Sequence, residues 1–159
     1  MSTHFESLHS ADQYLEALAL APPADLSTLV ARDIWPRKPA LFIVQAPLND
    51  SPADPQEFAP VGRQLRSGQW GLVPSWVKSA SDAKLRSTKL VNARHETVST
   101  SNNFREAWLQ GQRCIVPMMA FFEDDYRPGK PLPTRISRID GKPMGAAGLW
   151  SRWVGDGGV

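Results

Sequence analysis

The sequence predicts an α+β fold: a strongly curved, mostly antiparallel β-sheet or barrel with two or three short helices. Three observations support this prediction. The 159 residues include fourteen prolines, which favour loops, turns and extended segments over a helical bundle. The apolar runs are short and bounded by turn-forming residues, as is typical of strands. The length fits one domain over residues 1–159, and no repeat or coiled-coil heptad is visible.

The first half of the chain predicts one clear helix and one buried strand. Ser10 and Gln13 have the Ser-x-x-Gln form of a capping box, which opens a helix, and Pro22-Pro23 ends it. The expected elements are, in order, a strand or ordered arm over residues 1–9, this helix, a weaker helical segment over 25–31, a buried strand over 40–44 and a proline-rich loop over 46–62.

The second half predicts mainly strands. Ser101, Asn102 and Asn103 offer N-caps for a helix that Gly111 can stop, and Pro117 implies a bend or an edge. The expected elements are a strand over 69–74, a loop over 79–89, a short strand over 89–93, a helix over 104–110, a long strand over 113–123, and a hairpin that pairs 134–139 with 143–153 around Asp140-Gly141.

Charge is unevenly distributed along the chain. The net charge is only +2, but residues 1–60 hold three Lys/Arg against eight Asp/Glu, and residues 61–159 hold fifteen against eight. The second part is therefore at +7 and the first at −5. This asymmetry points weakly to a polyanionic partner, and a solvated surface with segregated charges explains it equally well.

Composition also bears on compartment and cofactors. The single cysteine, Cys114, excludes an internal disulfide, fits a reducing cytoplasmic compartment and is interpreted as a core residue. No apolar run is long enough to span a membrane, and the N-terminus lacks the layout of a signal peptide. We find no zinc-ligand spacing or phosphate-binding glycine loop, so we expect no metal and no organic cofactor. Nothing in the sequence indicates an oligomeric state.

The candidate functional residues cluster in four stretches. Residues 70–76 read WGLVPSW, residues 92–97 read NARHET, residues 113–123 read RCIVPMMAFFE and residues 147–153 read AGLWSRW. An amide, a guanidinium and a carboxylate within five residues after a short apolar segment indicate a site. Taken singly, Asn92 is better explained as a turn former and Glu123 as part of a solvated acidic turn, whereas the order of the four stretches favours a site.

In this order, the four stretches resemble the motifs of the SRAP family, the SOS response-associated peptidases. The family pattern runs roughly WGLIPxW, NARxET, RCLVPxxGFYEW and AGLWxxW, and the resemblance covers residues 69–153. Family members sense abasic sites in single-stranded DNA during the DNA-damage response. The resemblance therefore implies an SRAP-like fold and, as partner, single-stranded DNA that carries abasic sites.

The family's chemistry begins at a cysteine that becomes the first residue when the initiator methionine is removed. Its α-amine forms a Schiff base with the ring-opened sugar, and its thiol then closes a thiazolidine, which leaves a stable DNA–protein crosslink. Position 2 of this sequence is Ser2 instead. A serine hydroxyl is hardly ever ionised without a base, so we expect an imine, slow imine-mediated strand cleavage and no durable crosslink.

The resemblance also assigns roles to other residues. Asn92 matches the asparagine that orients the N-terminus or the opened sugar, and Glu123 matches the general acid/base. Arg94 is the expected phosphate ligand. His4 stands where the family commonly has an arginine that grips the DNA backbone. Trp70 is expected to stack on bases; core packing is the alternative for the tryptophans of the chain.

The family pattern continues beyond the AGLWxxW strand with a histidine, in a segment resembling IHxRMP, that completes the site. We expect this domain to lack that C-terminal part, because its three histidines, His4, His9 and His95, lie upstream. Two alternatives to an abasic-site crosslinker or lyase follow. One is a peptidase with an N-terminal nucleophile that removes its own Met1; the other is a non-catalytic domain that binds DNA or a protein.

Overall fold

The computed structural model describes residues 1–26, 30–46 and 62–155. Within these ranges the chain forms eight strands and three short helices. They are β1 (Phe5–Glu6), α1 (Ala11–Leu18), β2 (Asp33–Ile34), β3 (Pro39–Ala46), β4 (Gly62–Gln69), α2 (Ala80–Lys89), α3 (Arg105–Leu109), β5 (Arg113–Met118), β6 (Ala120–Asp125), β7 (Leu132–Ser137) and β8 (Met144–Leu149).

The strands form two antiparallel sheets of four strands each, which confirms the α+β class. The first sheet has the order β2-β1-β6-β7 and the second β4-β3-β5-β8. Among the described residues the sheets do not close into a barrel, so the barrel form of the prediction is wrong. The core cluster includes Phe5, Tyr14, Ile34 and Leu41. The short N-terminal strand thus belongs to the core, and this fixes where the chain start lies.

The long strand predicted over residues 113–123 is two strands in different sheets. β5 pairs with β8 from Arg113↔Leu149 to Met118↔Met144, while β6 pairs with β1 and β7. The chain changes sheet at Met119, whose N–H donates to the carbonyl of Glu6 at 2.8 Å. An apolar run shows that a segment is buried but not that it passes from one sheet to another, which is why the prediction joined them.

The predicted hairpin between residues 134–139 and 143–153 is wrong in its pairing. The turn is present, with Gly141 at φ 71° and its N–H donating to Arg138 at 3.1 Å. The strands that it joins diverge, however, because β7 pairs with β6 and β8 pairs with β5. The β6–β7 hairpin forms around residues 126–131 instead.

The first helix forms as predicted. The Ser10 hydroxyl accepts a hydrogen bond from the Gln13 N–H at 3.3 Å, which caps the N-terminus. The helix ends at Leu18, before the predicted stop at Pro22, and the residue that follows it, Ala19, is left-handed at φ 56°. The helix buries Tyr14, and this burial raises the pKa of the Tyr14 hydroxyl to about 12. Its capping signal is local, so sequence alone could locate it.

The predictions for residues 69–93 are wrong in their secondary structure. The segment predicted as a loop over 79–89 is the helix α2, and the strands predicted over 69–74 and 89–93 are absent from the described structure. The Ser79 hydroxyl caps the helix at the Asp82 N–H (3.2 Å), and Asp82 pairs with Arg86 one turn later. The helix buries only Ala83 and Ser87. So small an apolar face gives almost no periodic signal.

Three further expectations agree with the structure. The buried strand predicted over 40–44 lies inside β3, the helix predicted over 104–110 contains α3, and the N-terminal arm contains β1. Residues 27–29 and 47–61 lie outside the described residues, and with them most of the loop predicted over 46–62 and part of the helix predicted over 25–31.

Candidate functional site

Three residues from distant parts of the sequence meet at the start of the chain. The Met1 α-amine lies 3.2 Å from the Glu123 carboxylate oxygen Oε2. The Asn92 side-chain amide donates a hydrogen bond of 2.6 Å to the backbone carbonyl of Ser2. The structure therefore brings together Ser2, Asn92 and Glu123, the three residues predicted to carry the chemistry.

Strand pairing places Glu123 beside the N-terminus. β1 and β6 are antiparallel, with Phe5 opposite Phe121, and the Phe122 N–H donates to the His4 carbonyl at 3.0 Å. Because the strands run in opposite directions, residues after Phe121 lie beside residues before Phe5. Glu123 thus reaches the first residues of the chain through the backbone ladder.

Asn92 is held from the opposite side by the segment that follows α2. The Leu72 N–H donates to the Leu90 carbonyl at 2.9 Å, and the Trp70 indole N–H donates to the Val91 carbonyl at 3.0 Å. Gly71 allows this close approach: it has φ 119°, and a Cβ there would collide with the backbone of Ser87. The glycine of the WGLVP stretch therefore positions the residues around Asn92.

The Ser2 hydroxyl is occupied by the backbone. It donates a hydrogen bond of 2.7 Å to the His4 carbonyl and accepts one of 3.2 Å from the His4 N–H. This local turn is typical of serine and needs no ligand. The hydroxyl shapes the N-terminal arm, and its proton, which is donated to the His4 carbonyl, would have to pass to a base before the oxygen could act as a nucleophile.

These residues line an open cavity of about 1090 Å³. Its described lining carries four permanent cations and one carboxylate, Glu123; the cations are Arg37, Arg66, Lys84 and Arg152. The cavity thus has a formal charge of 4 − 1 = +3 before the N-terminal amine is counted. Such an excess of cations favours an anionic ligand.

His4 is built into an aromatic stack. Its ring lies 3.9 Å from the ring of Trp35 and 4.0 Å from that of Phe122, nearly parallel to both. Its Nε2 atom lies 2.8 Å from the Asp33 carboxylate. The ring anchors the N-terminal arm to β2 and β6, and the phosphate contact expected of His4 stays a prediction.

The other two predicted DNA contacts occupy different positions. Trp70 lines the cavity while its ring packs edge-on against Phe5, with centroids 4.9 Å apart. Arg94 is exposed and is not among the residues that line the cavity as described, although Asn92 and His95 on either side of it are. His95 pairs with Glu96 at 3.3 Å on the surface.

Glu6 is a buried carboxylate that the sequence did not single out. Its side chain is 3% exposed and lies 2.9 Å from Arg135, 2.6 Å from His9 and 3.4 Å from Arg32. The hydrogen bond from Arg135, helped by His9 and by the charge of Arg32, lowers the pKa of the Glu6 carboxyl to about 2 against the opposing effect of burial. This ion cluster (Glu6, His9, Arg32 and Arg135) ties β1 to its neighbours.

Arg37 is a second residue that sequence reasoning missed. It has φ 71°, a conformation unusual for a side chain with a Cβ, and it lines the cavity. Its buried Nε has no acceptor among the described residues. The sequence signal was the Trp-Pro-Arg-Lys-Pro stretch, which indicates a turn but not where the guanidinium lies.

Cys114 is buried at 8% exposure on β5, and this burial raises the pKa of its thiol to about 11. It is therefore a poor nucleophile near neutral pH. Among the described residues, no His, Cys, Asp and Glu side chains gather in a group of three or more that could hold a metal ion. None of the helices in the described part of the chain has the length and apolarity needed to cross a membrane.

The family model for SOS response associated peptidase (SRAP) matches residues 1–158. The chain belongs to the SRAP family. Among its relatives, "Abasic site processing protein YoqW" of Bacillus subtilis is 37% identical over 86 residues, which are 54% of this chain and 36% of the relative. "Abasic site processing protein YMR114C" of Saccharomyces cerevisiae is 34% identical over 112 residues, 68% of this chain and 29% of the relative. These SRAP matches thus span about a third of each relative's length.

Two solved structures share the fold of this chain. A crystal structure of a protein from Bordetella bronchiseptica is 32% identical, with a TM-score of 0.77, and the match covers 99% of this chain and 67% of that one. A protein from Bacteroides thetaiotaomicron is 23% identical, with a TM-score of 0.73 over 99% of this chain and 63% of that one, and supports the fold alone.

Proposed function

We propose that this SRAP protein binds single-stranded DNA at abasic sites and captures the opened sugar as an imine on the α-amine of residue 2. The observation that carries the proposal is that the Met1 amine lies beside Glu123 and the Ser2 carbonyl is bound by Asn92, in a cavity with an excess of cations. The names of the relatives, abasic site processing proteins, support the choice of substrate.

The reaction needs the amine and one group that moves protons. Removal of Met1 exposes the Ser2 α-amine within the same cavity. Its lone pair attacks the aldehyde carbon to give a carbinolamine, and loss of water gives the imine. The carboxylate of Glu123 takes each of the two protons that the nitrogen loses and passes it to the sugar oxygen, first to form the hydroxyl and then to release it as water. Asn92 holds the Ser2 carbonyl and so limits the rotation of the residue that carries the amine.

The adduct is expected to stop at the imine stage. A thiazolidine needs a thiol at position 2, and the Ser2 hydroxyl is both less acidic than a thiol and already hydrogen-bonded to His4. The imine hydrolyses reversibly, and slow strand cleavage by elimination at the adjacent phosphate accompanies it. A durable crosslink is therefore not expected from the protein with serine at this position.

The rest of the cavity suits a single strand of DNA. Its cations offer contacts to backbone phosphates, and Trp70 offers a ring on which a base can stack regardless of sequence. Arg94, exposed at the rim, is proposed as a phosphate contact outside the cavity. This arrangement favours a nucleic acid over a neutral peptide, so we prefer DNA processing to the peptidase alternative.

Borohydride trapping tests the proposal. The protein, with loss of Met1 verified by mass spectrometry, is incubated with single-stranded DNA that carries one abasic site, with and without borohydride. We expect a covalent species only with borohydride, and a Ser2→Cys variant is expected to crosslink without it. Glu123→Gln should slow trapping at least tenfold, by the loss of general acid–base catalysis.

The Ser2→Cys variant isolates the effect of a thiol at position 2, because Cys114 is buried and the wild-type chain has no other cysteine. If neither protein is trapped although Met1 is absent, covalent capture is excluded and only a binding role survives. Cleavage of an unstructured peptide that depends on Ser2 and is insensitive to added salt would favour the peptidase alternative instead.

A further inference from the structure

We propose that Arg37 is a phosphate-binding residue of the cavity, which contacts the DNA backbone beside the abasic site. The inference rests on the proposed function and deepens it, because it names a residue that holds the strand while residue 2 reacts. Arg37 lies outside the four sequence motifs. Its conformation, burial and surroundings carry the argument.

Arg37 occupies a turn position that normally selects glycine. The Lys38 N–H donates to the Trp35 carbonyl at 3.0 Å, which closes a four-residue turn with Pro36 second and Arg37 third. A positive φ at the third position, here 71°, is typical of a turn in which glycine or asparagine is preferred. An arginine there carries conformational strain, and such strain concentrates at functional sites.

The surrounding structure enforces this conformation. The Arg37 N–H donates to the Trp70 carbonyl at 2.7 Å, and the Trp70 N–H donates to the Lys38 carbonyl at 3.0 Å. The turn is thereby fastened to the WGLVP stretch, whose tryptophan is the proposed base-stacking residue. Arg37 and Trp70 are thus held in a fixed relation at the wall of the same cavity.

The guanidinium has unused hydrogen-bonding capacity. Its Nε is buried without an acceptor among the described residues, and no described carboxylate lies within ion-pair distance of it. A buried donor without an acceptor is costly and calls for a partner. The planar fork of arginine matches the oxygens of a phosphodiester, which is the anion that a strand crossing this cavity would supply.

The test measures binding of an undamaged, labelled single-stranded 12-mer as a function of salt. Wild type is compared with Arg37→Gln and with Lys130→Gln, which removes the same charge from an exposed turn away from the cavity. Arg37→Gln is expected to weaken binding about tenfold at ~0.1 M salt and to reduce the slope of log K against log salt by about 0.7. Lys130→Gln should leave the slope nearly unchanged.

The Arg37→Gly variant distinguishes a role of Arg37 in DNA binding from a role in folding. It removes the guanidinium and also relieves the positive φ, so we expect a Tm equal to that of wild type or up to about 4 °C higher, together with the binding loss of Arg37→Gln. An unchanged salt slope in both Arg37 variants would overturn the inference. So would a Tm that falls by several degrees together with affinity in Arg37→Gly, because Arg37 would then act only in folding.

The borohydride assay distinguishes failure of this inference from failure of the proposed function. At saturating DNA, Arg37→Gln should still form the trapped imine, because Arg37 binds the strand and does not react. If Arg37→Gln reduces the salt slope as expected but wild type traps nothing, the imine chemistry fails and the Arg37 inference stands. If wild type traps the abasic strand but Arg37→Gln keeps its slope, the imine chemistry stands and the Arg37 inference fails.

Discussion

Two charged regions beside the N-terminal arm differ in how their charges are paired. In the ion cluster around Glu6, one buried carboxylate pairs with Arg135, His9 and Arg32. The cavity at Ser2 is open: four cations share a wall with a single carboxylate. Charges that pair with one another stabilise the fold, whereas a cavity wall with more cations than carboxylates can bind an anionic ligand. The difference predicts that the first region governs stability and the second governs binding.

Removal of Glu6 should have the largest effect on stability. Glu6→Ala removes the buried carboxylate that pairs with Arg135 and should cost about 3 kcal/mol, the contribution implied by its lowered pKa. This corresponds to a fall in Tm of roughly 10 °C. Thermal unfolding followed by circular dichroism checks the prediction. Asp140→Ala, which removes the exposed partner of Arg138, is the control and should shift Tm by less than about 2 °C. Equal shifts in the two variants would show that burial does not distinguish the pairs.

Lowering the pH should reproduce part of the loss of stability expected for Glu6→Ala. The folded-state pKa of Glu6, about 2, lies below its ordinary value of 4.5. The carboxylate therefore stabilises the fold fully above about pH 4.5, and its contribution is lost as pH falls from 4.5 towards 2. The contribution is of the order of 3 kcal/mol. Urea unfolding at several pH values should show wild type losing more stability across this window than Glu6→Gln. Parallel curves for the two proteins would contradict the account.

His4 should have an intermediate effect. His4→Ala removes two ring stacks and the bond to Asp33, and we expect a loss of about 1–2 kcal/mol of stability. His4→Phe keeps the stacking and loses only the bond to Asp33, so it should recover most of the stability. If instead His4→Phe unfolds as easily as His4→Ala, the bond to Asp33 and not the stack holds the arm. Tm measurements on the two variants decide between them.

The smallest effect on stability is expected in the cavity itself. Lys84→Gln should leave Tm unchanged within about 1 °C, because no described carboxylate pairs with Lys84. It should nevertheless reduce the salt slope for single-stranded DNA by about 0.7, as expected for one lost phosphate contact. Lys89→Gln, on the same helix but away from the cavity lining, is the matched control. Loss of stability without a change in slope would reverse the proposed division of roles.

The sequence anticipated part of this picture. The order of four motifs was enough to predict the family and the convergence of Ser2, Asn92 and Glu123, because such motifs mark the same places in related chains. The first helix was predictable because its cap is local. The hairpin at Asp140-Gly141 was not: its turn residues determine the turn, while the pairing of β7 and β8 depends on distant strands.

The residues that the sequence missed depend on tertiary structure. Glu6 matters because it is buried against Arg135, which is 129 positions away in sequence. Arg37 matters because of its backbone conformation and its unpaired Nε, neither of which can be inferred from composition. Helix α2 was missed although Ser79, Asp82 and Arg86 have helical spacing, because its serines and lysines resemble those of a loop.

The most direct test of the central claim is to map the borohydride-trapped adduct. Cleavage after glutamate releases residues 2–6, and the first lysine of the chain is Lys38. This N-terminal peptide contains no lysine, so an adduct found on it cannot lie on a lysine side chain. Mass spectrometry is expected to find the reduced sugar on the α-amine of Ser2. An adduct found only on peptides that contain lysine, with the N-terminal peptide unmodified, would contradict it.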